Sequence, residues 1–448
     1  MSTFFGTDGI RGQVGIEPIT PATIVQLGWA LGTVVKEHFG AGPVLIGKDT
    51  RVSGYLLESA MEAGLASAGM DVKLLGPLPT PAIAYLTQTA RAKAGVVISA
   101  SHNHYQDNGI KFFSPNGSKL SDELQAEIEA LMSEPLTVVD AEHLGKAYRM
   151  HDAVGRYVEF CKGTIPRRMD FRGLRVAIDC ANGASYQSAP TVFHELGANI
   201  EVINNKPNGY NINEECGSTH IAGLQKLVTD KQCDVGIAFD GDADRVMMVD
   251  KLGRVVDGDQ LIFVIASSLQ KQGRLKGGVV GTLMTNLGME LALKDLGIPF
   301  VRAKVGDRYV LQELQQRGWT LGGESSGHLI CLDKTTTGDG LVSALQVLAQ
   351  LQFMQKPLHE LAGQMTMFPQ QMINVKLPRG INARDVCELA KVKEAVAIGE
   401  SKLAERGRVL LRPSGTEPVI RVMVEGEDAD LVAKTCEDIS AQVSAEIA

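Results

Sequence analysis

The sequence has no run of ~18 apolar residues, the length that a membrane-spanning helix needs. It also lacks an apolar core behind its first residues. Asp8 and Arg11 stand where a signal peptide would carry one, so a cytoplasmic location and no membrane partner are the expectation. Positive charge is not in excess: 44 Lys+Arg against 52 Asp+Glu leave a net charge of −8. That balance excludes a chain held on nucleic acid by bulk counterion release, and it leaves room for a local anion site. No Cys-x-x-Cys occurs among the 7 cysteines, which are scattered and odd in number. Neither a disulfide framework nor structural zinc fits, and reduced buried thiols are expected. No G-x-G-x-x-G stands in a strand-to-helix context, which counts against a nicotinamide enzyme. The stretch Gly42 to Lys48 approaches a P-loop, but Asp49 replaces the required Ser or Thr and the apolar strand lies inside the motif.

What is present looks globular. Hydrophobic residues make up 44% and charged residues 21%, so disorder is not the default. A length of 448 residues suggests roughly three domains. Glycine is plentiful, at 48 residues, which implies many tight turns or close backbone approaches.

An element order repeats three times. A short apolar strand leads into a polar or glycine loop: Val44 to Gly47, Val176 to Asp179, Val279 to Gly281. A segment with helical apolar spacing follows. It ends at Gly69, Gly197 or Gly297, the expected helix stop, before a second strand. A third strand comes later in each unit, at Val96 to Ile98, Val235 to Phe239, and Leu321 with its neighbours. Strand, helix and strand alternating in this way predict parallel α/β layers, with ligands at the carboxyl ends of the strands. The loops after the three third strands are the most polar in the chain. They run from Ser99 to Asn103, Asp240 to Arg245, and Gly323 to His328. The tail differs: strands at Met372 to Leu377, Val409 to Leu411 and Val419 to Val424, with a last amphipathic helix, predict a separate α+β domain.

Asp240, Asp242 and Asp244 occupy alternate positions after an apolar strand, so three hard oxygen ligands can converge on one divalent cation. An EF-hand does not fit, because Arg245 and Lys251 stand where Gly and Glu are required. Three carboxylates beside an arginine suit Mg²⁺ that shares its shell with a phosphate. Ser101, at the equivalent place in the first unit and with Lys111 ten residues on, is a candidate nucleophile or group carrier. Gly323-Glu-Ser325-Ser-Gly327 matches the nucleophile elbow of esterases, and Asp339 and His359 lie downstream in the right order. The same loop also suits binding: Glu324 and Ser326 can bond sugar hydroxyls, and His328 can move a proton. Between two apolar strands, Arg412, Ser414, Gly415, Thr416 and Arg421 bring two guanidinium groups, two hydroxyls and glycine backbone to one turn, the chemistry of a phosphate clamp. A sugar-phosphate enzyme working by phosphoryl transfer uses all four loops. An esterase and a non-catalytic sugar-phosphate sensor are the rival readings.

These residues carry a resemblance. Phe5 to Gly12, Ser99 to Asn103, Asp240 to Arg245, Gly323 to His328 and Arg412 to Pro418, in that order over nearly the whole chain, resemble the α-D-phosphohexomutase superfamily. The resemblance implies three related mixed-sheet α/β domains plus a C-terminal α+β domain around a central cleft. The expected divisions are 1–153, 154–255, 256–368 and 369–448. It implies an isomerase in which Ser101 is a phosphoserine and one Mg²⁺ is held by Ser101, Asp240, Asp242 and Asp244. Arg245 and Arg11 would neutralise the moving phosphoryl group, and Lys111 and His328 would transfer protons. Glu324 and Ser326 would read the sugar, while Arg412, Ser414, Gly415, Thr416 and Arg421 grip the phosphate that is not reacting. The opening Phe5 to Gly12 and the Glu324-Ser-Ser-Gly form of the sugar loop are similar to the branch acting on glucosamine phosphates. That implies a small-molecule sugar phosphate as partner, glucosamine 1,6-bisphosphate as intermediate and activator, and a monomer or homodimer.

Overall fold

The computed structural model describes residues 4–6, 9–378, 381–414 and 418–447, the Glu405 side chain aside. The first unit is a six-stranded sheet: β1 (Ile10–Gln13), β2 (Val44–Lys48), β3 (Val72–Pro77), β4 (Ala94–Ile98), β5 (Asp107–Phe113) and β6 (Ala147–Arg149). The second has five strands: β7 (Arg175–Asp179), β8 (Asn199–Ile203), β9 (Val235–Phe239), β10 (Val246–Asp250) and β11 (Val255–Val256). The third has four: β12 (Val279–Thr282), β13 (Phe300–Ala303), β14 (Leu321–Gly323) and β15 (Leu329–Cys331).

One arrangement recurs in all three. The first strand of the repeat lies between the second and third, parallel to both. The third then turns back into an antiparallel neighbour, β4 to β5, β9 to β10 and β14 to β15. Sequence periodicity predicts the three parallel strands, and the antiparallel return strand makes each sheet mixed, as the resemblance implies. It places the three polar loops at hairpin tips, all at carboxyl ends of parallel strands. The helices Ser53–Ser67, Ser188–Glu195 and Leu287–Asp295 each stop just before Gly69, Gly197 and Gly297, as the spacing predicts. Those glycines hold φ of 80°, 87° and 66°, which a side chain would oppose.

One apolar cluster runs through all three units, beside separate smaller cores such as that of Ile46, Val96 and Ile110 in the first. Val97 and Phe113, Ile178 and Phe239, and Val279 and Leu321 belong to a single buried cluster. This continuity fixes the three hairpin tips relative to one another. The tail forms its own antiparallel sheet of β16 (Gln370–Lys376), β17 (Gly407–Pro413) and β18 (Val419–Gly426), in the order β16-β18-β17. Its core is separate: Val432, Cys436 and Ile439 of the last helix, Ala429–Ile447, join Val422 and Val424 of β18 in one cluster. All 7 cysteines are free and 6 are buried. No helix among the described residues is long and apolar enough to cross a membrane.

Candidate active site

The tip between β4 and β5 meets the tip between β9 and β10. Ser101 is 1% exposed, and its hydroxyl donates to Asp240 Oδ2 at 2.6 Å across the boundary between the first two units. Candidate metal-binding oxygens of Asp240, Asp242 and Asp244 all lie within 4.8 Å of one another, and all three residues are buried. Lys111, on β5, reaches Asp242 at 3.0 Å and Asp244 at 3.4 Å. Thr80 donates its hydroxyl to Asp242 at 2.7 Å and its amide to the Asp242 carbonyl at 2.9 Å. From the third unit, His328 Nδ1 lies 3.7 Å from Asp244, and its Nε2 lies 3.5 Å from Asp307.

The electrostatics follow from this crowding. Burial, then the charges of Asp244 and Asp242, push the Asp240 carboxyl well above the usual carboxylate range. Burial opposes ionisation of Asp244 as well, but Lys111, His328 and Arg245 outweigh it and hold that carboxyl well below its usual value. Burial disfavours the His328 cation, yet Asp244, Asp307 and Glu324 raise its imidazole to about 9. His328 is therefore a proton donor at neutral pH. His102 goes the other way: burial and the nearby Arg245 and Arg11 lower it to about 4. Both arginines thus lie near the serine loop, and Arg245 Nε stands 3.8 Å from Asp244 Oδ1.

The carboxylate set suits a divalent cation. Asp242 Oδ1 is buried without a hydrogen-bond donor. Three clustered carboxylates repel one another, and an oxygen-seeking dication is the natural relief.

Glu324 sits at the third tip, where its Oε1 accepts the Gly306 amide at 3.0 Å. Ser326 is exposed beside it. The clamp residues form a second group on the C-terminal sheet. Arg412 on β17 and Arg421 on β18 are direct cross-strand partners. Like charges placed opposite each other destabilise a sheet. Burial and the facing Arg421 lower the Arg412 guanidinium from its ordinary value. Ser414 follows at the end of β17, with its amide on the Val419 carbonyl at 2.9 Å. Gly415 and Thr416 lie outside the described residues.

Comparison with known proteins agrees with this geometry. The phosphoglucomutase/phosphomannomutase alpha/beta/alpha domains I, II and III match residues 2–137, 156–253 and 257–368, and the C-terminal domain of that family matches residues 372–442. The phosphoglucosamine mutase of Ectopseudomonas mendocina is 58% identical over 444 residues, covering 99% of each chain. The chain belongs to the α-D-phosphohexomutase superfamily. A second relative, the phosphoglucosamine mutase of Serratia proteamaculans, is 58% identical over 96% of each chain. The fold matches a crystallised phosphoglucomutase/phosphomannomutase family protein of Burkholderia thailandensis, with a TM-score of 0.83 at 22% identity over 99% of this chain and 97% of that one. It also matches the Aspergillus fumigatus N-acetylphosphoglucosamine mutase solved with GlcNAc-6P and magnesium, with a TM-score of 0.72 at 18% identity over 99% and 96%.

As a phosphohexomutase the chain is an isomerase, and the esterase reading fails on structure. Gly323 to Gly327 turns between two antiparallel strands, β14 and β15, whereas a nucleophile elbow joins a strand to a helix. Asp339 is engaged elsewhere: it caps helix Gly340–Met354 and accepts the Tyr157 hydroxyl at 2.9 Å. Several residues of this phosphohexomutase site were not singled out by sequence reasoning. Asp307 pairs with Lys119 at 2.6 Å as well as facing His328. A charged pair directly after Gly306, at a strand-to-helix junction, was the available signal. Thr80 carried none, since it reads as the start of a proline-flanked helix.

Proposed function

We propose that the chain interconverts glucosamine 6-phosphate and glucosamine 1-phosphate, with Ser101 carrying the phosphoryl group. The observation that carries this reading is the 2.6 Å bond from the Ser101 hydroxyl to Asp240, inside a buried three-carboxylate cluster. Asp240, Asp242 and Asp244 would hold Mg²⁺ together with an oxygen on Ser101, and the ion supplies charge neutralisation at the phosphoryl group. Arg11 and Arg245 add positive charge beside the serine loop. With its imidazole raised to about 9, His328 gives a proton to the departing oxygen. Lys111, which reaches Asp242 at 3.0 Å and Asp244 at 3.4 Å, would take the proton of the attacking sugar hydroxyl. Phosphoserine donates to O1 of glucosamine 6-phosphate, forming the C1 phosphate ester as the serine ester breaks. The resulting 1,6-bisphosphate turns end for end, and its 6-phosphate restores the phosphoserine. Glu324 and Ser326 read the sugar. Arg412, Ser414, Gly415, Thr416 and Arg421 hold the distal phosphate in both orientations.

The divisions at 153/154, 255/256 and 368/369 assign one of these tasks to each domain. The enzyme works in the cytoplasm as a monomer or homodimer. The test compares glucosamine, glucose and mannose phosphates with added sugar bisphosphate and Mg²⁺. Glucosamine 6-phosphate should show the highest kcat/KM, with activity lost to EDTA and regained with Mg²⁺. Tight binding without interconversion, or a preference for glucose or mannose phosphates, would contradict the proposal.

A further inference from the structure

Ser101 is held in an unusual backbone conformation. Its φ is 51°, in the left-handed region that a residue with a Cβ disfavours. The turn that imposes it, Ala100 to Asn103, is closed by the Asn103 amide on the Ala100 carbonyl at 3.1 Å. This leaves the carbonyls of Ser101 and Asn103 to be satisfied inside the protein.

Two side chains from different units bond both of those carbonyls. Arg51, from the first unit, donates Nη2 to Ser101 O at 3.2 Å and also to Asn103 O. Asn213, from the second unit, donates Nδ2 to Ser101 O at 2.8 Å and to Asn103 O at 2.9 Å. Both residues are buried, at 0% and 2% exposure. Arg51 is itself anchored by the Asp49 carboxylate. Asn213, with φ of 58°, is tied by its amide to the Ala181 carbonyl at 3.0 Å. The metal loop closes the third side. A Cβ on Gly241 would stand 2.5 Å from Ser101 O and 2.8 Å from Asn213 Nδ2.

We infer that Arg51 and Asn213 are positioning residues that jointly fix the left-handed turn and so aim the Ser101 oxygen at the Asp240 cluster. The inference rests on Ser101 being the phosphoryl carrier. Neither side chain touches the hydroxyl; both act through the backbone. Asn213 belongs to the unit that supplies the carboxylates, so its two bonds set the distance between nucleophile and metal site. A nucleophile that must leave and regain a phosphoryl group in each cycle needs that distance restored each time.

Arg51 is a hazardous target, because its loss strands buried Asp49. Asn213 is the better one. Asn213→Ala removes two hydrogen bonds. Asn213→Asp keeps the shape but sets a carboxylate oxygen against two carbonyl oxygens. Each is measured beside wild type for kcat, KM, Tm and the lifetime of the Ser101 phosphate by intact mass. Asn213→Ala should lower kcat on the order of ten-fold, with KM within about two-fold, because misplacement of a reacting atom acts on the chemical step. Asn213→Asp should be lower still, and both should shed the phosphate faster than wild type. Asn213→His, which returns a ring N–H donor, should recover part of kcat. Unchanged kcat and phosphate lifetime in folded Asn213→Ala, or a lowered Tm alone, would overturn the inference. A wild-type enzyme with neither turnover nor phosphate on Ser101 would instead overturn the functional reading beneath it.

Discussion

Asp339 lies fully buried at the start of helix Gly340–Met354, where its Oδ1 accepts the Val342 amide at 2.9 Å. Burial raises its carboxyl from 3.8 to about 7, despite that bond and the Tyr157 hydroxyl. The folded state thus binds this proton more tightly than the unfolded chain. Stability from the group is complete below about pH 4 and is lost as pH rises through about 7. Asp339→Asn keeps an oxygen for the helix cap and removes the titration. Between pH 5 and 8, Tm of wild type should fall relative to that variant, by an amount on the order of a few kcal/mol in stability. Parallel Tm curves would contradict the assignment. At this scale the sequence was most legible where chemistry is local. Ser101, the three aspartates, Lys111, Arg245 and His328 stand out by type and position. Arg51 and Asn213 do not, because their role is to bond carbonyls that only the folded turn presents. The nearest signal for Asn213 was five asparagines between positions 204 and 213, which marks a loop with left-handed residues and nothing more specific.

The hairpin tips are the elements on which the site depends. Helix Gly258–Lys271 opens with a capping box, Asp257 with Gln260, and its first residue packs directly against the loop from Gly323 to His328. A Cβ on Gly258 would lie 2.1 Å from the Glu324 carbonyl oxygen and 2.8 Å from the Gly327 amide. Gly258→Ala must therefore displace Glu324. The expected result is ~1–3 kcal/mol of lost stability together with a raised KM for the sugar phosphate. A variant with wild-type KM and Tm would show that the loop tolerates the shift. The parallel strands and their glycine stops were readable from periodicity. The returning strands β5, β10 and β15 were not, since each follows a polar loop and β15 has only three residues. Their pairing is a property of the sheet, and no local pattern announces it.

At the scale of the whole molecule, three units share a core and the fourth docks onto them through charge. Glu425 is fully buried, accepts the Leu287 amide at 3.0 Å and pairs with Arg408 at 2.7 Å. Arg408 also donates to the carbonyls of Leu283 at 2.8 Å and Thr285 at 2.7 Å. Removing the guanidinium leaves a buried carboxylate without its counter-charge, which costs ~3–5 kcal/mol. Arg408→Ala should loosen the C-terminal domain, seen as faster proteolysis near Pro369 and a lower kcat/KM, while the three-unit body stays folded. Unaltered proteolysis would contradict this docking. The sequence foretold a separate α+β tail and a cleft lined by distant loops, but not this latch, because Arg408 and Glu425 bond backbone groups over 100 residues away. The central claim is that those distant loops converge on one serine ester. Peptide mapping of the enzyme after turnover with isotopically labelled glucosamine 1,6-bisphosphate tests it most directly. The label should appear on Ser101, exchange with substrate, and vanish with all activity in a folded Ser101→Ala variant. An active enzyme with no label on Ser101, or full turnover in that variant, would contradict it.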